Sequence, residues 1–463
     1  MKISFHGADR GVTGSCHLVS CGGKQILIDC GLYQGGRELS EENHEAFGFD
    51  PGEVDYLLLT HAHLDHCGRI PLLAERGFKG EIITTAASRE LAKLVLLDSA
   101  HLQEEEAKWQ TRKQARRRHK GKEIKPLYTV LDALNSLDHF GRTAQYNEVI
   151  KLEEGIDITF LDAGHILGSA CILLDLKEGN RQRKVLFSGD LGYNDRVILR
   201  NPTPPPKVDV VVMETTYGDR VHKELKPSIE ELYKAITDTF RRGGNVVIPS
   251  FALERTQEIL YYLREGVKAG VLPGSIQVFL DSPMAISATE IFRHHPECYD
   301  EDSCDLFTNG QDPFNFQGLH FVRETADSIA LNRFKGGAVL IAGSGMCTGG
   351  RVRHHLKHNL WRQDCSVVFV GFASRGTLAR RIVDGAKTVR IFGEDIPVRA
   401  SIHTIGGFSA HADQNELLAW HEQLGHPART FLVHGEEDAM STFAEQLSGT
   451  EVLMPQLNDE FDL

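Results

Sequence analysis

The run Thr60-His61-Ala62-His63-Leu64-Asp65-His66 constrains this chain more than any other stretch. It follows directly on Val54-Asp55-Tyr56-Leu57-Leu58-Leu59, an apolar run that reads as a buried strand. In extended backbone, side chains two residues apart point to the same side, so His61 and His63 can grip one metal ion. Asp65 and His66, across the following bend, can face a second ion close by. Imidazole nitrogen and carboxylate oxygen together suit Zn2+. With 22 histidines in 463 residues, independent composition yields such a hexapeptide only about 0.003 times.

A two-ion site needs further donors and a bridge, and two segments offer them. Asp162-Ala163-Gly164-His165-Ile166-Leu167-Gly168-Ser169-Ala170 sets His165 in a tight, glycine-flanked turn. Phe187-Ser188-Gly189-Asp190-Leu191-Gly192 sets Asp190 at a strand end, where a bridging carboxylate can sit. Alone, each reads more readily as an ordinary turn residue; beside the histidine motif they gain weight. Asp29, which closes the β-rich run Gln25–Ile28, reads as an acid that orients a ligand histidine.

Composition narrows the setting. Lys and Arg number 51 against 64 Asp and Glu, a net charge of −13, which excludes a globally basic nucleic-acid binder but not a local basic site. Nine cysteines, an odd count with no CxxC pair, argue against a disulfide scaffold or zinc ribbon and for reduced thiols in a cytoplasm. Cys67 and Cys347 read as passive packing residues. No membrane-length apolar run occurs, and Met1-Lys2-Ile3-Ser4-Phe5 does not read as a signal peptide. From Lys108 to Lys125 there are nine Lys or Arg against the single acid Glu123. This stretch reads either as a solvated helix face or loop, or as a contact for a polyanion.

The chain changes character along its length. Four prolines between Asn201 and Lys207 mark a boundary. Beyond them strands and helices alternate as in βαβ units of a mostly parallel, doubly wound sheet, and after about residue 390 short strands and turns return. A strand–helix domain bracketed by two β-rich pieces implies an insertion.

These residues resemble the metallo-β-lactamase fold. Later motifs narrow the resemblance to its β-CASP family of RNA-processing nucleases, which includes the pre-mRNA 3′-end cleavage endonuclease and its bacterial relatives. Met213-Glu214-Thr215-Thr216-Tyr217-Gly218 looks like the family's motif A, Ile405–Asp413 around His411 like motif B, and Leu432-Val433-His434-Gly435-Glu436 like motif C. The intervening Pro249–Glu258, Asp281–Ala285 and Ser344–Arg351 match as well.

The resemblance implies an α/β architecture: an αββα metallo-β-lactamase sandwich in two parts, 1–207 and 396–463, with an inserted doubly wound β-CASP domain over 208–395. It implies two Zn2+ ions, one on His61, His63, His165 and Asp190, the other on Asp65, His66, Asp190 and His434. His411, held by Glu214, would be the general acid, with Asp65 counted both as ligand and as catalytic residue. Ser409 and Arg351 would bind substrate. Ser344–Gly350 reads either as a phosphate cradle or as a plain strand–helix turn.

The expected activity is a zinc-dependent ribonuclease whose metal-activated hydroxide leaves 5′-phosphate and 3′-hydroxyl ends. RNA is expected between the two domains, in a cytoplasmic protein with no membrane partner, with a second copy of the chain as a candidate partner. The alternatives are a DNA-directed nuclease of the family, a small-ester or thioester hydrolase, and an inactive RNA-binding scaffold.

Overall fold

The computed structural model describes residues 1–116, 124–371, 373 and 376–463. The chain forms two compact units: Met1–Asp195 with Asn201–Val221 and His411–Leu463, and Arg196–Arg200 with His222–Ala410.

The first unit is built on two seven-stranded sheets. One runs, edge to edge, through Glu460–Asp462, Lys2–Phe5, His17–Cys21, Lys24–Ile28, Tyr56–Leu58, Glu81–Thr85 and Phe140–Ala144. The other runs through Glu451–Leu453, Arg429–Val433, Val210–Glu214, Arg181–Phe187, Ala170–Glu178, Ile156–Asp162 and Val149–Glu153. Side chains alternate across each strand. Ile158, Phe160, Val210, Val212 and Phe431 meet Phe5, Val19, Ile26, Ile28 and Leu58 in the inner core. Leu161, Val211, Met213 and Leu432 turn outward against Leu417 and Trp420 of helix Gln414–Gln423 and Met440 and Phe443 of helix Glu437–Ala444. Helix Ala86–Arg116 packs along the strands Glu81–Thr85 and Phe140–Ala144 of the first sheet. This is the expected αββα layering.

The second unit carries a six-stranded sheet ordered Leu319–Phe321, Gln277–Leu280, Ala338–Ala342, Val246–Pro249, Ser366–Val370 and Ser401–Ile405. Every neighbouring pair is parallel. Parallel strands buried on both faces read as continuous apolar runs, which is why this part announces itself in the sequence. The chain visits the strands out of order, as a doubly wound sheet requires.

The domain boundaries shift from those expected at 207 and 395. Val210–Glu214 pairs in parallel with both Arg181–Phe187 and Arg429–Val433, so it belongs to the sandwich. Ser401–Ile405 pairs in parallel with Ser366–Val370 and so belongs to the inserted sheet. Among the described residues, no helix is long and apolar enough to cross a membrane.

Candidate metal centre

The histidine motif takes the geometry its spacing demands. Strand Tyr56–Leu58 runs on to His61; His63 is still extended, with φ −67° and ψ 147°, and caps the short helix Leu64–Cys67 that carries Asp65 and His66. Gly31 lets this helix sit close: a Cβ there would lie 1.6 Å from the Asp65 carbonyl oxygen. His165 sits in the turn between Ile156–Asp162 and Ala170–Glu178, where Ser169 Oγ accepts from the backbone N–H groups of His165 and Ile166 at 3.0 and 3.2 Å. Gly168 in the same turn has φ +78°, and a Cβ there would meet the Ser88 nitrogen at 2.6 Å. Asp190 follows strand Arg181–Phe187, and His434 follows Arg429–Val433.

Their donor atoms converge in two groups. His61 Nε2 lies 3.1 Å from His63 Nδ1, which lies 3.2 Å from His165 Nε2. Asp190 Oδ2 lies 3.4 Å from His61 Nε2 and 3.5 Å from His165 Nε2. On its other side, Asp190 Oδ2 is 3.3 Å from His66 Nε2, itself 3.3 Å from His434 Nε2, with Asp65 Oδ2 3.7 Å from that nitrogen. The first group is His61, His63, His165 and Asp190; the second gathers Asp65, His66 and His434. A tetrahedral ion with bonds of about 2.0–2.1 Å holds its ligand atoms about 3.3 Å apart. The donor spacing therefore fits zinc.

Hydrogen bonds around the donors fix which nitrogen faces inward. Asp29, in left-handed backbone at φ +61°, accepts from the Thr60 N–H at 2.8 Å, the Thr60 hydroxyl at 2.9 Å and His66 Nδ1 at 2.7 Å. His66 Nε2 is thereby aimed at the cluster. The Thr60 oxygen in turn accepts from His61 Nδ1 at 3.0 Å, leaving His61 Nε2 to present its lone pair. Thr216 Oγ1 does the same for His434, accepting from Nδ1 at 3.1 Å while donating to the His434 carbonyl.

Protonation follows from burial. Desolvation, aided by neighbouring histidines, lowers His61 to about 3 and His63 to about 4, and takes His165 well below its ordinary value. His61, with its Nδ1 proton given to Thr60, turns a lone pair at Nε2 towards His63 Nδ1 at 3.1 Å, and His165 Nε2 stands 3.2 Å from that same nitrogen. Metal coordination satisfies that arrangement. Burial would raise Asp190, but His434 and His66 hold it well below the usual carboxylate range, and its Oδ1 is buried with no hydrogen-bond partner among the described residues.

Beside the donors stands a separate pair. Glu214, fully buried at the end of Val210–Glu214, accepts from His411 Nδ1 with its two oxygens at 3.3 and 3.2 Å. Glu214 Oε1 also accepts from the Leu191 N–H at 2.5 Å. Burial opposes a charge on His411, yet Glu214 and then Asp190 raise it to about 9.

The first unit thus holds the seven expected ligands together with Asp29, Glu214 and His411. Ser409 and Arg351 fall in the second unit. Arg351 is committed there to structure: it donates to Asp281 Oδ1 at 2.7 Å and to the Val322 and Arg323 carbonyls at 3.0 and 2.7 Å. Its charge is balanced by the buried Asp281 carboxylate. Thr60, Thr216 and Ser169 stand inside motifs that the sequence singled out, but their roles had no signal of their own.

Cys67 and Cys347 are buried as packing residues. In the basic stretch, Lys108 pairs with Glu105 at 3.1 Å and Glu104 at 3.5 Å, and Lys113 lies over the Trp109 ring at 4.4 Å. Residues 117–123 lie outside the described residues.

Comparison with known proteins agrees with this geometry. Residues 9–249 match the metallo-beta-lactamase superfamily, 256–382 the Beta-Casp domain, and 395–455 the Zn-dependent metallo-hydrolase RNA specificity domain. Ribonuclease TTHA0252 of Thermus thermophilus is 40% identical over 462 residues, 99% of each chain. Transcription termination factor FttA of Methanocaldococcus jannaschii is 31% identical over 460 residues, 96% of this chain and 68% of that one. An RNase J-like protein of the same organism is 29% identical over 445 residues, 96% of this chain and 94% of the other. A crystal structure of a protein of unknown function from Enterococcus faecalis shares the fold, with a TM-score of 0.57 at 13% identity over 100% of this chain and 99% of that one.

Proposed function

The chain belongs to the β-CASP branch of the metallo-β-lactamase superfamily and is a metal-dependent nuclease acting on RNA, and we propose that it hydrolyses RNA phosphodiesters with two zinc ions to leave 5′-phosphate and 3′-hydroxyl ends. His61, His63, His165 and Asp190 would hold one ion, and Asp65, His66, Asp190 and His434 would hold the other. The observation that carries the reading is the donor spacing of 3.1–3.7 Å on both sides of Asp190. Zinc held there supplies a nucleophile from water at neutral pH and a Lewis acid for the phosphate oxygens.

The chain's own residues do the rest. Asp29 and Thr60 orient His66 and His61, and Thr216 orients His434. As the phosphorus gains the oxygen from water, the bond to the 3′-oxygen breaks and that oxygen needs a proton. His411 gives it, and Glu214 holds the imidazole in place and stabilises its charged form. The 2′-hydroxyl takes no part in bond making. RNA is the substrate partner, and the cytoplasm is the compartment in which reduced thiols and RNA coexist.

The test is an end-labelled RNA with a single 2′-deoxy sugar at the cleaved position. Cleavage should persist and give 5′-phosphate ends; resistance of that bond, with cyclic phosphate from the all-ribose control, would sink the mechanism. A matched DNA strand run alongside reads the DNA-directed alternative. A circular RNA separates internal cleavage from cleavage at an end.

A further inference from the structure

The backbone of His411 is held on both sides by one short stretch of chain. Downstream, the Ala412 N–H donates to the Leu191 carbonyl at 2.8 Å, and Gly192 bridges His411 in antiparallel fashion. Upstream, the Ala410 carbonyl accepts from Arg196 Nη1 at 3.3 Å. That carbonyl shares a rigid peptide plane with the His411 nitrogen and Cα. Leu191, Gly192 and Arg196 all follow Asp190 within a few residues, so one stretch links that carboxylate to both holds on His411.

Arg196 is itself immobilised. It is 7% exposed; its Nε donates to Glu258 Oε1 at 2.9 Å, and Nη2 lies 2.7 Å from the same oxygen and 3.8 Å from Glu254 as ion-pair contacts. Arg255 bonds the other Glu258 oxygen. Burying two arginines with two glutamates is no more stabilising than apolar packing of the same shape. The cluster therefore calls for a reason beyond stability. Only a guanidinium can fork onto a carboxylate with two nitrogens and still offer a third N–H to a carbonyl; a lysine ammonium in its place keeps the charge but loses the fork.

We propose that Arg196, gripped by Glu258, is a positioning residue that fixes the Ala410–His411 peptide and so sets where the His411 imidazole meets the departing 3′-oxygen. This rests on the reading of His411 as the general acid.

The test compares Arg196→Lys, His411→Ala and the double variant on two oligoribonucleotides, one normal and one with sulfur replacing the bridging 3′-oxygen at the cleaved bond. In both, the bond from phosphorus to the leaving atom breaks and a bond to water oxygen forms, but a thiolate leaves without needing a proton. Arg196→Lys should lower kcat on the normal substrate by about 10–100-fold, with KM and zinc content held within about twofold. Its loss on the sulfur substrate should stay below about threefold, and the double variant should be no slower than His411→Ala alone. Glu258→Gln, which keeps the shape of the pair, replaces Arg196→Lys if that variant does not fold. Where His411→Ala spares the sulfur substrate, equal Arg196→Lys losses on the two substrates would overturn the proposal, and so would single losses that multiply in the double variant in any case. A His411→Ala loss that is equal on both substrates would strike the acid reading itself; non-multiplying losses would then still keep Arg196 as the residue that places His411.

Discussion

Asp190 is the side chain on which both donor groups depend, since its Oδ2 lies within 3.5 Å of His61, His66 and His165. Asp190→Ala is expected to cut zinc from about two ions per chain to below one and to abolish cleavage, as read by elemental analysis and a gel assay on the same preparation. His411→Ala should show the opposite pattern: zinc retained and the rate on RNA down roughly 10²–10⁴. Asp29→Ala removes the partner of His66 Nδ1 and the Thr60 hydroxyl, so zinc affinity should fall about 10–100-fold, measured by competition with a chelator. His61, His63, Asp65 and His66 were legible in the sequence because histidines and an acid in this spacing have few other uses; His434 and the pairing of His411 with Glu214 were legible only through the family resemblance. The hydroxyls of Thr60, Thr216 and Ser169 were not, since such residues are common and their work depends on which nitrogen of a distant imidazole they meet. The bonds of Arg351 to Asp281 and to the Val322 and Arg323 carbonyls had no signal in the sequence, because their partners lie 28 to 70 residues away.

Helix Gln414–Gln423 and strand Arg429–Val433 are joined by a buried bond between His421 Nε2 and Thr430 Oγ1 at 2.8 Å. Burial, with His426 nearby, lowers His421 to about 4. Unfolded, this imidazole takes up its proton near 6.5, so acid favours the unfolded chain. The stability it lends is complete above pH 6.5 and drains as pH falls towards 4. His421→Gln keeps a partner for Thr430 and does not titrate. Between pH 7.5 and 5 it should lose about 2 kcal/mol less than the parent chain in urea unfolding; identical losses would refute the assignment. The same element scale explains the misplaced boundary at 207. Val210–Met213 is apolar throughout because helices cover one face and the other sheet covers the second. That pattern is indistinguishable in sequence from a strand of the inserted parallel sheet.

For the molecule as a whole, a net charge of −13 means that RNA is repelled at long range and must be drawn in locally. Replacing Arg116, Arg117 and Arg118 by alanine should flatten the salt dependence of RNA binding while leaving cleavage of a small phosphodiester unchanged. An unaltered slope would make the stretch a solvated surface. The insertion was legible at this scale because strand–helix alternation differs in rhythm from short strands and turns. Its edges were not, because pairing partners far along the chain decide them. That same long-range pairing governs when the nuclease comes into being during synthesis. Strand Lys2–Phe5 pairs with Glu460–Asp462, more than 450 residues later, and the proposed ligands run from His61 to His434. A growing chain presents His61, His63, His165 and Asp190 early, but has no His411 or His434 until the inserted unit has been translated. On the proposed ligand set, a chain still emerging from the ribosome lacks its last donor until His434 has been added, so the site closes only after the inserted unit is in place.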